Sequence, residues 1–385
     1  MVTSAPLIGL ACRGCDSPEP GLVVDLGLRP TSDGFPELSS PHPDPAWPLQ
    51  LWFCPRCTLV QLGPVAALPE EPVRAIESQT SRRHAEQAVR GLLADHPELA
   101  GAPVREFASH HGGSWLPALA ERGSGPAPDG APAALVVDTH GLAHEQDVAA
   151  ALAERVAALA PDGVLVLEHH HLLPLVEQGQ FDTVRHGHWC YLSLTAIERL
   201  AAAHGLQAIQ AVAEPVFGGS LRVVLADRAS GRKPDTSVRE VLAAEQAAGL
   251  ADGTGLTSFA ARAQDSARSL RNYLLDRQRA GQRVLGYGAP SKAAILLGLG
   301  EIGTDLLEFT VDAAALKHGR CVPGVRVPIR PVADLVAARP PIVLVLTWDI
   351  VDEVVAQLEA EGGWGAQYVI PSPVPRVYRP ARTED

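Results

Sequence analysis

The chain has few of the features that place a protein in or across a membrane. No run of about 18 uncharged apolar residues occurs, so we expect no membrane-spanning helix. The first ten residues lack both a basic start and a long apolar stretch, which argues against a signal peptide and for a cytoplasmic protein. With 385 residues and 46% apolar content, the sequence predicts two to three domains with sizeable cores.

Positive charge is also scarce relative to negative charge. The sequence has 32 Lys and Arg against 44 Asp and Glu, a formal net charge of −12. A protein that follows the phosphates of nucleic acid is usually basic, so the balance argues against a nucleic-acid partner. A small anionic ligand, bound in a local basic pocket, remains compatible with it.

Cysteine is rare, yet four of the six cysteines are arranged in pairs. Cys12 with Cys15, and Cys54 with Cys57, form two Cys-x-x-Cys knuckles, each able to present two thiolates to one metal ion. Four thiolates leave no open coordination position, so the spacing predicts a structural zinc ion. The alternative is free thiols in a reducing cytosol.

A histidine-rich stretch follows the apolar run at residues 163–168, which reads as a strand buried on both faces. His169, His170 and His171 come directly after it, and His186 and His188 lie a short distance further on. Imidazoles have a pKa near about 6.5, so such a cluster can move protons or bind a metal. Open α/β sheets bind ligands at the carboxyl ends of their strands, which favours a functional site over a polar surface loop.

Two strand, glycine-turn and helix patterns predict two Rossmann-like units. The first lies at residues 104–116, and the second runs from Arg283 to Lys292. A helix that starts near Pro290 leaves free backbone N–H groups, which together with Lys292 could receive a phosphate.

Several motifs carry a resemblance to a known family: Glu168-x-x-His171-Leu-Leu, Gln180-Phe-Asp-Thr-x-x-His186-x-His188, Gly-Gly-Ser220-Leu-Arg222 and Gly-Tyr287-Gly-Ala-Pro-Ser-Lys292. The chain resembles the nucleotide-sugar C-methyltransferases of antibiotic biosynthesis, which methylate deoxyketosugars with S-adenosylmethionine. The resemblance implies an α/β enzyme with an N-terminal zinc-binding module and two Rossmann-like domains. We expect the zinc module at 1–70, a reduced methyltransferase-type domain at 71–232, a helical spacer at 233–280 and a nucleotide-sugar-binding domain at 281–385.

The resemblance also implies roles for individual residues. For catalysis we expect His186 or His188 as the principal base, supported by His171 and Glu168. The cofactor-binding positions are Glu106, Gly112 and Gly113. The positions expected to hold the nucleotide-linked sugar are Ser220, Arg222, Tyr287, Lys292, Lys317 and Arg320.

Two departures from the family make the use of S-adenosylmethionine doubtful, and a third changes the residues near the sugar. His110 and His111 replace the Asn-Asp of the family's methionine loop. The strand, helix and strand that normally precede residues 134–138 are missing, and with them the acid that holds the ribose hydroxyls. Arg74 and Ile76 stand where the family has tyrosines near the sugar, so the chemistry must depend on the histidines.

Four hypotheses remain open at this stage. The leading one is proton abstraction alpha to a carbonyl without S-adenosylmethionine, leading to epimerisation or isomerisation of a ketosugar. The second is ordinary C-methyl transfer. The third is metal-dependent chemistry with Glu168 or Asp138 at the added histidines, which are His110, His111, His140, His169 and His170. The fourth is a non-catalytic protein that binds a sugar nucleotide for another enzyme.

Overall fold

The computed structural model describes residues 11–65, 68, 77–107 and 113–379. In this part of the chain the strands are β1 (Gly21–Arg29), β2 (Trp47–Phe53), β3 (Val60–Leu62), β4 (Val104–Phe107), β5 (Ala133–Thr139), β6 (Leu159–His170), β7 (Cys190–Tyr191), β8 (Leu206–Glu214), β9 (Ser220–Asp227), β10 (Val284–Tyr287), β11 (Thr310–Val311), β12 (Ile329–Arg330), β13 (Ile342–Val345), β14 (Gln367–Ile370) and β15 (Arg376–Val377).

Four of the helices of the described residues begin at a side chain that caps them. The helices are α1 (Gln79–Asp95), α2 (Leu116–Ala120), α3 (Val148–Ala157), α4 (Leu172–Glu177), α5 (Leu194–Ala202), α6 (Thr236–Ala247), α7 (Phe259–Arg279), α8 (Ser291–Leu299), α9 (Val332–Ala338) and α10 (Val351–Ala360). Ser78, Asp147 and Ser193 each accept a backbone N–H at the start of α1, α3 and α5. Among the described residues, no helix is both long and apolar enough to cross a membrane.

The central sheet has five strands in the order β4-β5-β6-β9-β8. The first three are parallel, and β9 and β8 run antiparallel to them. Strand β6 lies in the middle and is buried on both faces, as the apolar run predicts. It continues beyond Glu168 to His170, because β9 pairs with it to the end. His169 and His170 therefore belong to the strand and not to the loop after it.

The outer edge of β4 is covered by a short piece of its own connection to β5. Val104 donates to the carbonyl of Gly125 and accepts from Ala127, at 2.8 and 2.7 Å. In the described residues, only α2 and this segment lie between β4 and β5. Among the described residues, therefore, no strand between β4 and β5 offers an acid to a ribose.

The C-terminal sheet has six strands in the order β12-β11-β10-β13-β14-β15, all parallel except β15. Helix α8 starts after the turn that follows β10, as the second glycine pattern predicts. The predicted α/β class with two Rossmann-like units is confirmed.

The zinc-binding part forms a third sheet whose fourth strand comes from another region of the chain. Its order is β1-β2-β3-β7, with Val60 of β3 paired to Tyr191 of β7. Strand β7 begins two residues after His188, so the small sheet is physically continuous with the histidine stretch. The spacing alone gave no indication of this strand.

Candidate active site

The four paired cysteines lie together at one end of the small sheet. The sulfurs of Cys12 and Cys57 are 3.5 Å apart, those of Cys15 and Cys54 are 3.7 Å apart, and all four lie within 4.8 Å of one another. Tetrahedral zinc with Zn–S bonds of about 2.3 Å separates its sulfurs by roughly 3.8 Å. The four thiolates therefore fit a closed zinc site, which would contribute to folding and leave no position for a substrate.

The first knuckle also supports the segment that carries His188. Arg13 lies between Cys12 and Cys15, and its guanidinium sits 4.6 Å above the ring of Trp189. Its Nε also donates to the carbonyl of Leu62 at 3.4 Å. The zinc-binding part thus fixes the backbone immediately after the histidine stretch.

Glu168 is the centre of the buried polar cluster at the carboxyl end of β6. Its side chain is 1% exposed, and both of its oxygens lie 2.9 Å from Nε2 of His84 in α1. Nε2 of His140 is 3.5 Å from the same carboxylate. Burial alone would raise the pKa of Glu168, but hydrogen bonds from His140 and His84 outweigh it and lower the pKa to about 2.

The two histidines around Glu168 reach it from different elements. Burial opposes protonation of His84, yet its bond to Glu168 leaves its pKa raised. His140 follows β5 and adopts a left-handed backbone with φ of +62°, unusual for a residue with a side chain. Its N–H donates to the carbonyl of Glu168 at 2.6 Å, which stabilises that conformation.

A chain of imidazoles leads away from Glu168. The ring of His140 lies 4.9 Å from that of His170, which is 5.9 Å from His188, and His188 is 4.7 Å from His144. Burial and neighbouring positive groups lower the pKa of His170 well below its usual value. Phe217 closes the cluster, with its ring 5.4 Å from His140. The cluster is able to hold and move protons in a place largely shielded from water.

A cavity of about 700 Å³ lies beside this cluster, between α1, the loop after β1 and the C-terminal sheet. Among the predicted substrate residues, Tyr287, Lys317 and Arg320 line it. Burial raises the pKa of Tyr287 to about 12, so its hydroxyl stays protonated and donates to Gln357 at 2.9 Å. Lys317 donates to Asp312 at 3.2 Å.

Arg185 belongs to both the cavity and the histidine cluster. It lines the cavity, and its side chain is only 6% exposed. Nη1 donates to Asp33 at 2.8 Å, and Nη2 lies 3.0 Å from Nε2 of His188. Asp33 in turn accepts a hydrogen bond from Ser291 at the start of α8.

The other three predicted substrate residues have partners within the protein. Lys292 pairs with Asp349 at 2.7 Å, and its amine lies 4.1 Å from the centre of the Trp348 ring. Ser220 donates to the carbonyl of Val216, and Arg222 pairs with Glu214 at 3.1 Å.

The paired glycines before Ser220 make room for protein side chains. A Cβ on Gly218 would lie 2.6 Å from Trp348, and one on Gly219 would lie 2.7 Å from Pro174. This close approach accounts for both glycines without a ligand.

The predicted catalytic histidines do not lie together. His188 joins the cluster around Glu168, whereas Nε2 of His186 donates to the carbonyl of Pro48 at 3.1 Å, towards the zinc-binding part. His171 directly precedes α4, and its Nε2 is 2.7 Å from Glu245 in α6. His169 points to the opposite face of β6 from Glu168, because successive strand residues alternate.

The predicted cofactor residue Glu106 is engaged in capping α2. Its oxygens accept from the hydroxyl of Ser114 at 2.5 Å and from the N–H of Trp115 at 2.6 Å. Gly113 has a φ of +94° and lies near Glu77, while Gly112 lies outside the described residues.

The predicted second metal site is only partly within the described residues, since His110 and His111 lie outside them. In the part of the chain that the structure describes, the four cysteines are the one group of three or more ligands that come within reach of a single ion. His140, His169 and His170 do not form such a group by themselves. Asp138 instead pairs with Arg155 at 2.7 Å.

Three residues of the site were not predicted from the sequence as site residues. His84 lies among the buried, mostly apolar residues of α1, and a histidine on such a face is a usable signal. Arg185 occupies a variable position of the motif that runs from Gln180 to His188. Asp33 lies in a loop without a motif. The sequence contains no local signal that pairs Asp33 with Arg185.

Comparison with known families assigns three consecutive parts of the chain. Residues 12–70 match a zinc binding domain, residues 57–211 a methyltransferase domain, and residues 215–373 a C-methyltransferase C-terminal domain. The three matches together span most of the chain.

One relative matches part of the chain. C-methyltransferase NovU from Streptomyces niveus is 32% identical over 245 residues, which cover 64% of this chain and 58% of that protein. The chain therefore matches less than two thirds of that relative's length.

Two solved methyltransferases are similar over about two fifths of this chain. Magnesium protoporphyrin IX methyltransferase from Synechocystis PCC 6803 is 11% identical, with a TM-score of 0.29, over 38% of this chain and 84% of its own. N-methyltransferase NodS from Bradyrhizobium japonicum WM9 is 16% identical, with a TM-score of 0.28, over 42% of this chain and 93% of its own. Scores this low say nothing further about the site.

Proposed function

Because the chain belongs to the family of C-methyltransferases with an N-terminal zinc-binding domain, we propose that it acts on a nucleotide-linked ketosugar by histidine-mediated proton abstraction. The proton is removed from the carbon next to the carbonyl, and the products are those of epimerisation or isomerisation. The observation that carries the proposal is the contact of Arg185 with His188, which joins the cavity to the histidine cluster around Glu168.

The cavity suits a substrate with a charged nucleotide part and a smaller reacting part. Its volume of about 700 Å³ falls within the usual range for small-molecule sites. Lys317 and Arg320 lie on the wall formed by the C-terminal sheet, where they can receive phosphate oxygens. A sugar attached to those phosphates would extend towards Arg185.

His188 is the histidine best placed to act as the base. Since a guanidinium only donates hydrogen bonds, Nε2 of His188 must be the unprotonated nitrogen that faces Arg185. That lone pair points towards the wall of the cavity. His170 and His140 lie behind it, and the ionised Glu168 favours a proton on His84.

The reaction needs no group transfer. The C–H bond at the α-carbon breaks, the proton goes to Nε2 of His188, and the electron pair forms an enolate. Reprotonation of the α-carbon on the opposite face gives an epimer, and protonation of the former carbonyl carbon of an enediol gives an isomer. Each product is reached without a methyl donor.

Solvent deuterium tests this proposal directly. The protein would be incubated in deuterated water, without S-adenosylmethionine, with uridine and thymidine diphosphate-linked 4-keto-6-deoxyglucose. We expect deuterium at the α-carbon by mass spectrometry and NMR. His188→Gln should slow exchange by about a hundredfold or more, whereas His186→Gln is the matched control and should leave the rate nearly unchanged. Exchange at the normal rate in His188→Gln would show that the base is another residue.

Methyl transfer is the second candidate, favoured by the matches to methyltransferase families over residues 57–211 and 215–373. Calorimetry with S-adenosylmethionine separates the two. Because Glu106 already accepts hydrogen bonds from Ser114 and Trp115, and the described residues between β4 and β5 include no strand to supply a ribose-binding acid, we expect no binding tighter than about millimolar, a free energy of roughly −4 kcal/mol. Micromolar binding together with a methylated sugar would make methyl transfer the function.

A further inference from the structure

The position of Arg185 suggests a role beyond that of a wall residue. Its guanidinium lies between the cavity and the lone pair of His188, in contact with Asp33 on one side and with His188 on the other. Few residues of the site have access to both a substrate in the cavity and the base. A group in this position can act on the substrate while the base acts on it too.

The backbone of Arg185 is held firmly in place. Its N–H donates to the hydroxyl of Tyr191 at 3.0 Å, and Tyr191 lies on β7, which is part of the zinc-binding sheet. Its Nη1 also donates to the carbonyl of His186 at 3.2 Å. The guanidinium is therefore positioned before a substrate arrives, as a group that stabilises developing charge should be.

Asp33 places an anionic oxygen against Arg185 at the wall of the cavity. One of its oxygens accepts from Arg185 and the other from Ser291, which starts α8 on the opposite wall of the cavity. The side chain of Asp33 is 20% exposed, so it faces the cavity and not the core. A carboxylate there shows that Arg185 already binds oxygen at the cavity surface.

We propose that Arg185 is a catalytic residue that binds the carbonyl oxygen of the ketosugar and stabilises the enolate formed from it. The inference rests on the proposed function and names the group that makes it possible. The carbonyl carbon is bonded to both the oxygen and the α-carbon, so the cation and the base must lie side by side. The 3.0 Å separation of Nη2 and His188 Nε2 meets this requirement.

The step balances without another reactant. When the ketone binds, a guanidinium N–H that faced Nε2 of His188 turns to the carbonyl oxygen, and the lone pair of Nε2 becomes available. The α C–H bond breaks and an N–H bond forms at Nε2. The C–H pair becomes the C=C bond, and the carbonyl pair moves to the oxygen, which Arg185 neutralises. Return of the proton reverses these changes.

The experiment compares two cavity arginines in the deuterium exchange assay. Arg185→Gln should lower kcat by about a hundredfold or more, the usual effect of losing one donor to a developing oxyanion. Arg185→Lys keeps the charge without the fork and should lose less. Arg82→Gln, at an exposed arginine of the same cavity, should raise KM and change kcat little. Zinc content and circular dichroism would show that each variant is folded.

Chemical rescue distinguishes a catalytic role of Arg185 from a structural one. Adding guanidinium chloride at low concentration to Arg185→Ala should restore part of the exchange, and an equal concentration of sodium chloride should not. Exchange in Arg185→Gln within about threefold of the wild type would overturn this inference alone. Absence of exchange in the wild type would overturn the proposed function and this inference with it.

Discussion

Two buried histidine and carboxylate pairs lie on either side of the central sheet, and only one is connected to the cavity. Glu168 is 2.9 Å from His84, and Glu245 is 2.7 Å from His171. Both carboxylates are buried, and in both, hydrogen bonds from histidine outweigh the effect of burial and lower the pKa. By charge and burial alone the two pairs cannot be told apart.

The partners of the two carboxylates separate them. Glu245 also accepts from the N–H of Leu194 at 2.6 Å and from the N–H and hydroxyl of Thr195 at 2.8 and 2.6 Å. It therefore satisfies the free N–H groups at the start of α5, a structural task. Glu168 has histidines on both sides, and these lead through His170 and His188 to Arg185. A lowered pKa indicates a functional site only when the group is connected to a place where substrate can bind.

The largest expected effect comes from removing the charge of the connected pair. Glu168→Gln keeps the shape but removes the carboxylate that favours a proton on His84 and lies 3.5 Å from His140. We expect deuterium exchange to fall by a factor between about 10² and 10⁴, the usual contribution of general acid and base groups. Exchange kinetics on the folded, zinc-loaded variant would measure it. A rate equal to that of the wild type would remove Glu168 from the mechanism.

The matched change at the structural pair should act on stability instead. Glu245→Gln leaves a buried histidine and the start of α5 with weakened partners, so we expect the free energy of unfolding to fall by about 3–5 kcal/mol. Urea denaturation measures this loss. Exchange per folded molecule should stay near the wild-type rate, and the same holds for His171→Gln. A loss of activity in folded His171→Gln would instead restore the catalytic role that the sequence predicts for His171.

The smallest effect is a difference in pH dependence. Glu168 has a pKa of about 2 in the folded protein and about 4.3 when unfolded, so its contribution is present above about pH 4.3 and is lost as the pH falls towards 2. That contribution is at most on the order of 3 kcal/mol. His84, whose pKa is raised, contributes below about pH 6.5 and loses that contribution as the pH rises through its folded value.

The free energy of unfolding of the wild type and of Glu168→Gln, measured between about pH 3 and 8, tests the pH dependence of Glu168 and that of His84 together. The stability difference between the two proteins should be greatest between about pH 4.3 and 6.5 and should shrink on either side. A stability difference that stays constant from about pH 3 to 8 would show that the two side chains do not share a proton-linked interaction.

The sequence by itself determined the parts of this protein that depend on short spacings. The two Cys-x-x-Cys pairs predict the zinc site. The glycine turns at residues 112–113 and at Gly288 predict two Rossmann-like units. The apolar run before Glu168 predicts the central strand. Each of these signals lies within a few residues of the feature that it predicts, so neighbouring residues are enough to specify it.

Only the tertiary structure decided which polar side chains meet. His84 and Glu168, or Asp33 and Arg185, are far apart in the chain, and their contact depends on the order of the strands and on how α1 and the loop after β1 pack on them. The same packing turns His171 towards Glu245 and away from His188. Sequence spacing specifies the direction of a side chain within one element, but the side chain that it meets is specified by the packing of whole elements against each other.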